Sequence, residues 1–80
     1  MTDEEAKIMG IHFNYLKEML AKGKLIMAGP EINGKFGITI IETETEDEAK
    51  AFMENDPAVK NGVVSGKLYP YRVSLLRGRD

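Results

Sequence analysis

The sequence predicts an α+β protein in which two helices pack on one face of an antiparallel sheet. Two segments begin with the capping-box spacing that is typical of helix starts, and a strand-like alternation follows an Asn-Gly turn. β-Branched and aromatic residues dominate the C-terminal segment. With 80 residues the chain is expected to form one domain over residues 1–80. The predicted element order is helix, strand, strand, helix, strand.

Composition and charge exclude several functional classes. The formal net charge is −2 with both signs mixed along the chain, whereas general nucleic-acid binding needs a basic face. The chain has no cysteine, so no thiolate can attack a substrate or bind a metal. No apolar run approaches the roughly 20 residues of a transmembrane helix. The acidic N-terminus lacks the basic start of a secretory signal, and we expect a cytoplasmic protein without membrane partners.

The first predicted helix extends from Thr2 to Gly23. Thr2 and Glu5 have capping-box spacing, and Gly23 suits the left-handed residue that ends a helix. At about 100° per residue, the apolar side chains fill one arc, and His12 falls near its middle. A buried imidazole needs a partner for each ring nitrogen, because an unpaired polar group costs free energy. His12 is therefore either a core histidine bonded to a carbonyl or hydroxyl, or one paired with a carboxylate.

Two predicted strands form a hairpin. The first, Lys24–Ala28, is short and apolar, and the Gly29-Pro30 step ends it because proline cannot donate to a ladder. Asn33-Gly34 is a strong hairpin signal, since both residues tolerate positive φ. The second strand, Phe36–Thr43, alternates between two faces. The two strands should pair antiparallel.

A second helix and a third strand complete the prediction. The helix should extend from Glu46 to about Asn55, after which Asp56 caps a short turn from Pro57 to Asn61. The segment Val63–Leu76 carries alternating apolar side chains and is predicted to be a strand. Pro70 lies inside it, which places this part at a sheet edge or bulge.

Several of these residues also follow a family pattern. The matching stretches are His12-Phe13-Asn14-Tyr15-Leu16, Gly23-Lys24-Leu25, Ala28-Gly29-Pro30, Gly37 to Ile41, Glu48-Ala49, and Asp56-Pro57 followed by Gly62-Val63. In their order and spacing, from about Thr2 to Val73, they resemble the YciI-like (YCII-related) domain family. The resemblance implies a ferredoxin-like fold and dimeric α+β barrels, and hence a homodimer or higher homo-oligomer. The family usually has a strand before the first helix. Here the helix begins at Thr2, so we expect either a shortened form of the family domain or a sheet that is rearranged or completed by a partner.

The resemblance also implies a site. In the family, a histidine on the first helix and an aspartate at a later Asp-Pro step form a dyad in a pocket, and they correspond to His12 and Asp56. A carboxylate beside an imidazole fixes its tautomer and gives a general base near neutral pH. Asp56 could also be the cap of the following turn, and one carboxylate can fill both roles. One branch of the family is linked to chloride removal from a chlorinated aromatic ring, which implies enzyme-like chemistry without fixing a substrate.

Two functions follow from these observations. In the first, the protein is a small cofactor-independent enzyme that uses the dyad as general acid/base on a small molecule, in an elimination or isomerisation. In the second, it is a non-catalytic module that binds a small ligand or a partner protein. Tyr15 lies beside His12 on the helix and either lines a substrate pocket or packs as an aromatic, and Gly29 and Pro30 either bend the chain or line the same pocket. One histidine and scattered carboxylates do not predict a metal site, and the glycine spacing does not predict a phosphate-binding loop.

Overall fold

The computed structural model describes residues 2–78, which form three helices and a two-stranded antiparallel sheet. In chain order the elements are α1 (Asp3–Ala21), β1 (Leu25–Pro30), β2 (Gly37–Ile41), α2 (Glu46–Glu54) and α3 (Pro57–Lys60). The predicted α+β class is confirmed. None of the helices in this range combines the length and the apolarity that a transmembrane span requires.

Both ends of α1 are capped as the sequence predicts. The Thr2 hydroxyl accepts from the Glu5 N–H at 3.1 Å, and the Glu5 carboxylate accepts from the Thr2 N–H at 2.9 Å. At the other end Gly23 has a φ of 78°, and its N–H donates to the Leu20 carbonyl. The next N–H, of Lys24, donates to the Met19 carbonyl. These two bonds form a Schellman motif, which ends α1 and turns the chain into β1.

The hairpin pairs antiparallel as predicted, with strand bounds that differ from the prediction. Leu25 pairs with Ile41, and Pro30 pairs with Gly37. The Gly34 N–H donates to the Glu31 carbonyl at 2.8 Å, and Gly34 alone of the Asn33-Gly34 pair has positive φ. The Glu31 carboxylate accepts from the Asn33 backbone and side chain, so this side chain holds the loop. Residues 31–36 connect the strands, and β1 extends through Gly29 and Pro30 instead of ending at Ala28 as predicted.

The core is small and lies on one face of the sheet. Leu16 of α1, Leu25 of β1 and Phe52 of α2 are buried together, with Tyr15, Met19 and Ile41 packed around them. Since Leu25 and Ile41 are cross-strand partners, they present one face of the sheet to both helices. Many large apolar side chains stay exposed in the single chain: Ile11, Phe13, Leu20, Ile26, Met27, Ile32, Phe36, Ile38, Val64, Tyr69, Tyr71, Val73, Leu75 and Leu76.

The structure corrects the prediction of a third strand over Val63–Leu76. Residues 63–75 form neither helix nor strand, and Leu76 takes part in an isolated bridge only. Near the start of this segment, the Val63 and Val64 N–H groups both donate to the Ala58 carbonyl. A strand needs a neighbour that accepts its ladder bonds, and β-rich composition does not supply one. The observed order is helix, strand, strand, helix, helix.

Candidate functional site

The structure brings His12 and Asp56 into direct contact across 44 residues of sequence. His12 lies on the face of α1 that carries the core residues, and α3 packs against α1. The His12 Nδ1 lies 2.6 Å from Asp56 Oδ1 and 2.8 Å from Oδ2. The two side chains are 21% and 11% exposed, so the pair is mostly removed from water.

Local sequence explains why Asp56 is held at this position. Its backbone is extended, with φ −62° and ψ 125°, and Pro57 occupies the first turn of α3. Proline disfavours helix at the residue before it and has a φ that suits the start of a helix. Asp56 Oδ1 accepts from the Ala58 N–H at 2.9 Å, and Ala58 is fully buried. One carboxylate thus caps α3 and contacts the imidazole at the same time.

The contact fixes which imidazole nitrogen is available for chemistry. An ionised carboxylate only accepts hydrogen bonds, so Nδ1 carries the hydrogen, and in the neutral ring Nε2 has a lone pair. Within residues 2–78, Nε2 has no hydrogen-bond partner and is not among buried unsatisfied atoms. Nε2 therefore reaches the surface, where it can take a proton from a bound molecule.

Tyr15 packs beside the dyad. Its hydroxyl donates to the Phe52 carbonyl at 2.9 Å, and the two rings meet edge to face with centroids 5.5 Å apart. Burial raises the pKa of Tyr15, and the charges of Asp56 and Glu18 raise it further. The ring is thus a fixed aromatic next to the site, with its hydroxyl already engaged.

Gly29 and Pro30 are not brought to the dyad by the contacts of the described chain. They lie exposed at the end of β1, where they pair with Ile38 and Gly37 of β2. Among residues 2–78 no hydrogen bond joins either of them to His12 or Asp56. Their role in substrate binding stays a prediction.

A concavity that the sequence did not indicate lies on the other side of Tyr15. It has a volume of about 180 Å³, and the Lys24 ammonium contacts the Glu48 carboxylate at 3.1 Å beside it. This ion pair joins the end of α1 to the start of α2 over 24 residues, a separation that gives no sequence signal. Within the described chain, no group of three or more His, Cys, Asp or Glu side chains is arranged to hold a metal ion. The residues that line the concavity are Tyr15, Met19, Lys24, Thr43, Glu48, Ala51, Phe52 and Asn55.

Replacing Tyr15 by phenylalanine should cost about 1 kcal/mol of stability, because the bond to the Phe52 carbonyl is lost while the ring remains. Since burial raises the pKa of Tyr15, the folded state holds the phenol proton more tightly than the unfolded state. The stability that the protonated Tyr15 phenol contributes is fully present below its ordinary pKa of 10.0, and it is lost as the pH rises through the raised pKa of the folded state. Urea unfolding from pH 7 to 11 should therefore show that the difference in free energy of unfolding between wild type and Tyr15→Phe becomes smaller at alkaline pH. A constant gap would contradict the burial of the phenol.

Comparison with known proteins gives one match. The family model of the YCII-related domain matches residues 1–69. Searches of curated proteins and of solved structures found no significant match. The family match spans α1, both strands, α2 and α3, together with His12 and Asp56. Because it covers most of the 80 residues, the chain belongs to the YCII-related domain family.

Proposed function

We propose that the protein is a small cofactor-independent enzyme in which His12 and Asp56 form a general acid/base pair acting on a small molecule. The supporting observation is the 2.6 Å contact between Nδ1 and Oδ1, which leaves Nε2 at the surface. Elimination and isomerisation both require a positioned base, and neither requires a redox group. Partial exposure of His12 favours this function over a sealed core histidine.

In this mechanism Nε2 takes a proton from a carbon next to an electron-withdrawing group of the substrate. The Asp56 carboxylate stabilises the imidazolium that forms, and it holds the ring in place throughout. In an isomerisation the imidazolium returns the proton to a different atom. In an elimination the leaving group departs with its bonding electron pair. The Tyr15 hydroxyl is engaged by the Phe52 carbonyl, so Tyr15 shapes the site instead of transferring protons.

The proposed working unit is a homodimer, with the cytoplasmic location predicted from the sequence. The single chain exposes 6995 Å², whereas a compact monomer of 8.9 kDa exposes about 4,800 Å². Its radius of gyration is 13.5 Å, compared with about 11.6 Å for a compact chain of this length. The exposed side chains of Ile38 in β2 and of Phe36 directly before β2 need cover, which a second copy would supply. Such a dimer could also complete the ferredoxin-like sheet and barrel that the family resemblance implies.

Proton abstraction can be tested before the substrate is known. We expect deuterium from D₂O to enter the carbon next to the carbonyl in at least one of a panel of small keto acids and ketones. Chloride release from chlorinated aromatics is followed in parallel. His12→Gln should lower the rate by about 10²–10⁴-fold, because it removes the base. The control is Asn14→Ala, an exposed position on the same helix, which should keep the full rate.

Two results would contradict the enzyme proposal. One is exchange that survives His12→Gln unchanged. The other is a folded protein that exchanges none of the panel and releases no chloride, yet binds panel members with the same affinity before and after this substitution. The second result would favour the non-catalytic binding module.

A further inference from the structure

The C-terminal segment, defined here as residues 67–76, has the pattern of a strand without the pairing of one. Four alternating apolar side chains are strongly exposed: Tyr69 is 72% exposed, Tyr71 81%, Val73 52% and Leu75 94%. Within the described chain, residues 67–75 belong to no helix or strand, and Leu76 takes part in an isolated bridge only. Residues 71–76 contain no proline, so each carries a backbone N–H that a ladder could use. This stretch can therefore form a strand wherever a free sheet edge is offered to it.

The chain is anchored just before this segment. Gly66 lies so close to α2 and α3 that a Cβ added there would be 2.8 Å from the Met53 Sδ and 3.7 Å from a Val59 methyl. The Val63 and Val64 N–H groups hold the preceding turn to the Ala58 carbonyl. The C-terminal segment thus leaves the folded part from a fixed position, which favours a defined docking geometry.

The outer edge of β2 is a matching acceptor. In the described sheet β2 pairs only with β1, so its other side presents unpaired backbone groups over the five residues Gly37–Ile41. The outer edge of β1 is less suitable, because β1 ends in Pro30. Ile38 of β2 and Phe36, which directly precedes β2, are more than half exposed and are spaced two residues apart, as Tyr71 and Val73 are in the C-terminal segment.

Charge supports the same pairing. Residues 64–78 contain three cations, Lys67, Arg72 and Arg77, and no acidic residue. Residues 42–48, which follow β2 and include the first turn of α2, contain five acidic residues and no cation. A strand laid along β2 would extend beside this acidic stretch, and the opposite charges would favour that contact and help to set its register.

We propose that the C-terminal segment of one chain adds as a third strand to the outer β2 edge of a second copy, in a reciprocal exchange. The proposal rests on the homodimer proposed above and specifies how it is held together. Reciprocal exchange pairs the β2 edge of both copies and gives closed two-fold symmetry. It would also bury side chains that account for part of the excess surface of the single chain.

Sedimentation of matched variants tests the exchange. Wild-type protein should sediment at low micromolar concentration with twice the 8.9 kDa chain mass. Val73→Pro removes a ladder donor and should weaken the dimer by about tenfold or more, whereas Val73→Thr keeps the branched side chain and should stay within about threefold of wild type. Val73 lies outside all helices and strands, so helix content by circular dichroism should be equal in the three proteins.

Disulfide trapping identifies the chains that pair, since the natural sequence has no cysteine. Thr39→Cys and Ser74→Cys are placed in separate preparations, which are mixed and oxidised. We expect a cross-linked product that joins one chain of each kind. A mixture of Lys17→Cys with Ser74→Cys is the control and should give less of this product, because Lys17 is on the exposed face of α1.

Each alternative outcome has a separate meaning. If Val73→Pro sediments as wild type, the exchange is wrong and the homodimer stands. A chain that carries both Thr39→Cys and Ser74→Cys is oxidised as well. If it links only within one chain, the segment pairs in its own subunit and the exchange is also wrong. If wild type is a monomer at these concentrations, both the exchange and the homodimer fail. The deuterium-incorporation assay that tests His12 does not depend on any of these three outcomes.

Discussion

Replacing Asp56 by alanine is expected to destabilise the protein by about 2–4 kcal/mol, a large effect for one small side chain. The substitution removes the cap of α3, worth about 1 kcal/mol, and leaves the His12 Nδ1 without its acceptor, worth about 1–3 kcal/mol more. An 80-residue protein has a total stability of about 4–12 kcal/mol. Urea unfolding at neutral pH measures the loss.

Asp56→Asn is the matched control for this prediction. Asparagine keeps an oxygen that can accept from the Ala58 N–H, so the cap survives and the loss should be at least about 1 kcal/mol smaller than for alanine. Nitrogen NMR of the imidazole should show the Nδ1–H form in wild type and a shift towards the Nε2–H form in Asp56→Ala. Equal stability of the two variants would mean that the side-chain cap of α3 contributes nothing to stability.

Phe52→Ala should cost about 3–5 kcal/mol and leave the protein at the edge of unfolding. Phe52 is buried against Leu16 and Leu25, and its ring packs edge to face on Tyr15. With so few buried side chains in the single chain, no other residue can fill the space that a lost phenyl ring leaves. Thermal unfolding followed by circular dichroism measures the effect.

Phe13→Ala is the control for Phe52→Ala. Phe13 lies on α1 with its ring exposed beneath the Lys17 ammonium, 4.9 Å from the ring centroid. Its removal should cost about 1 kcal/mol, the size of an exposed cation–π contact. Comparable losses for Phe13 and Phe52 would contradict the core described here.

The helices could be predicted because their signals are local. Thr2, Glu5 and Gly23 specify the ends of α1 through contacts within a few residues, and the structure shows those contacts. Thr45 and Glu48 mark the start of α2 in the same way. Caps are short-range interactions, so neighbouring residues suffice to indicate them.

Only one member of the dyad, His12, could be predicted from the residue pattern alone. Helical periodicity alone indicated that His12 faces inward. The identity of its partner came from family resemblance, because Asp56 is 44 residues away and no spacing rule connects them. The Tyr15 bond to the Phe52 carbonyl was missed for a similar reason, since any backbone carbonyl can accept and the sequence does not mark which one does.

In the C-terminal segment, a strand was predicted that the described chain does not form. Its alternation is a good strand signal, yet pairing depends on an edge that a sequence window does not contain. In the described chain, residues 71–75 do not pair with a sheet edge. The prediction of a strand failed because no strand of the described chain pairs with residues 63–75.

Asp56 Oδ1 is shared between the Ala58 N–H and the imidazole of His12. Through this shared atom, the free energy of forming the first turn of α3 and that of positioning the imidazole are coupled. Fraying of α3 releases the histidine, and a molecule that draws the carboxylate away loosens the turn. The conformational stability of a four-residue helix therefore limits how often the dyad is assembled.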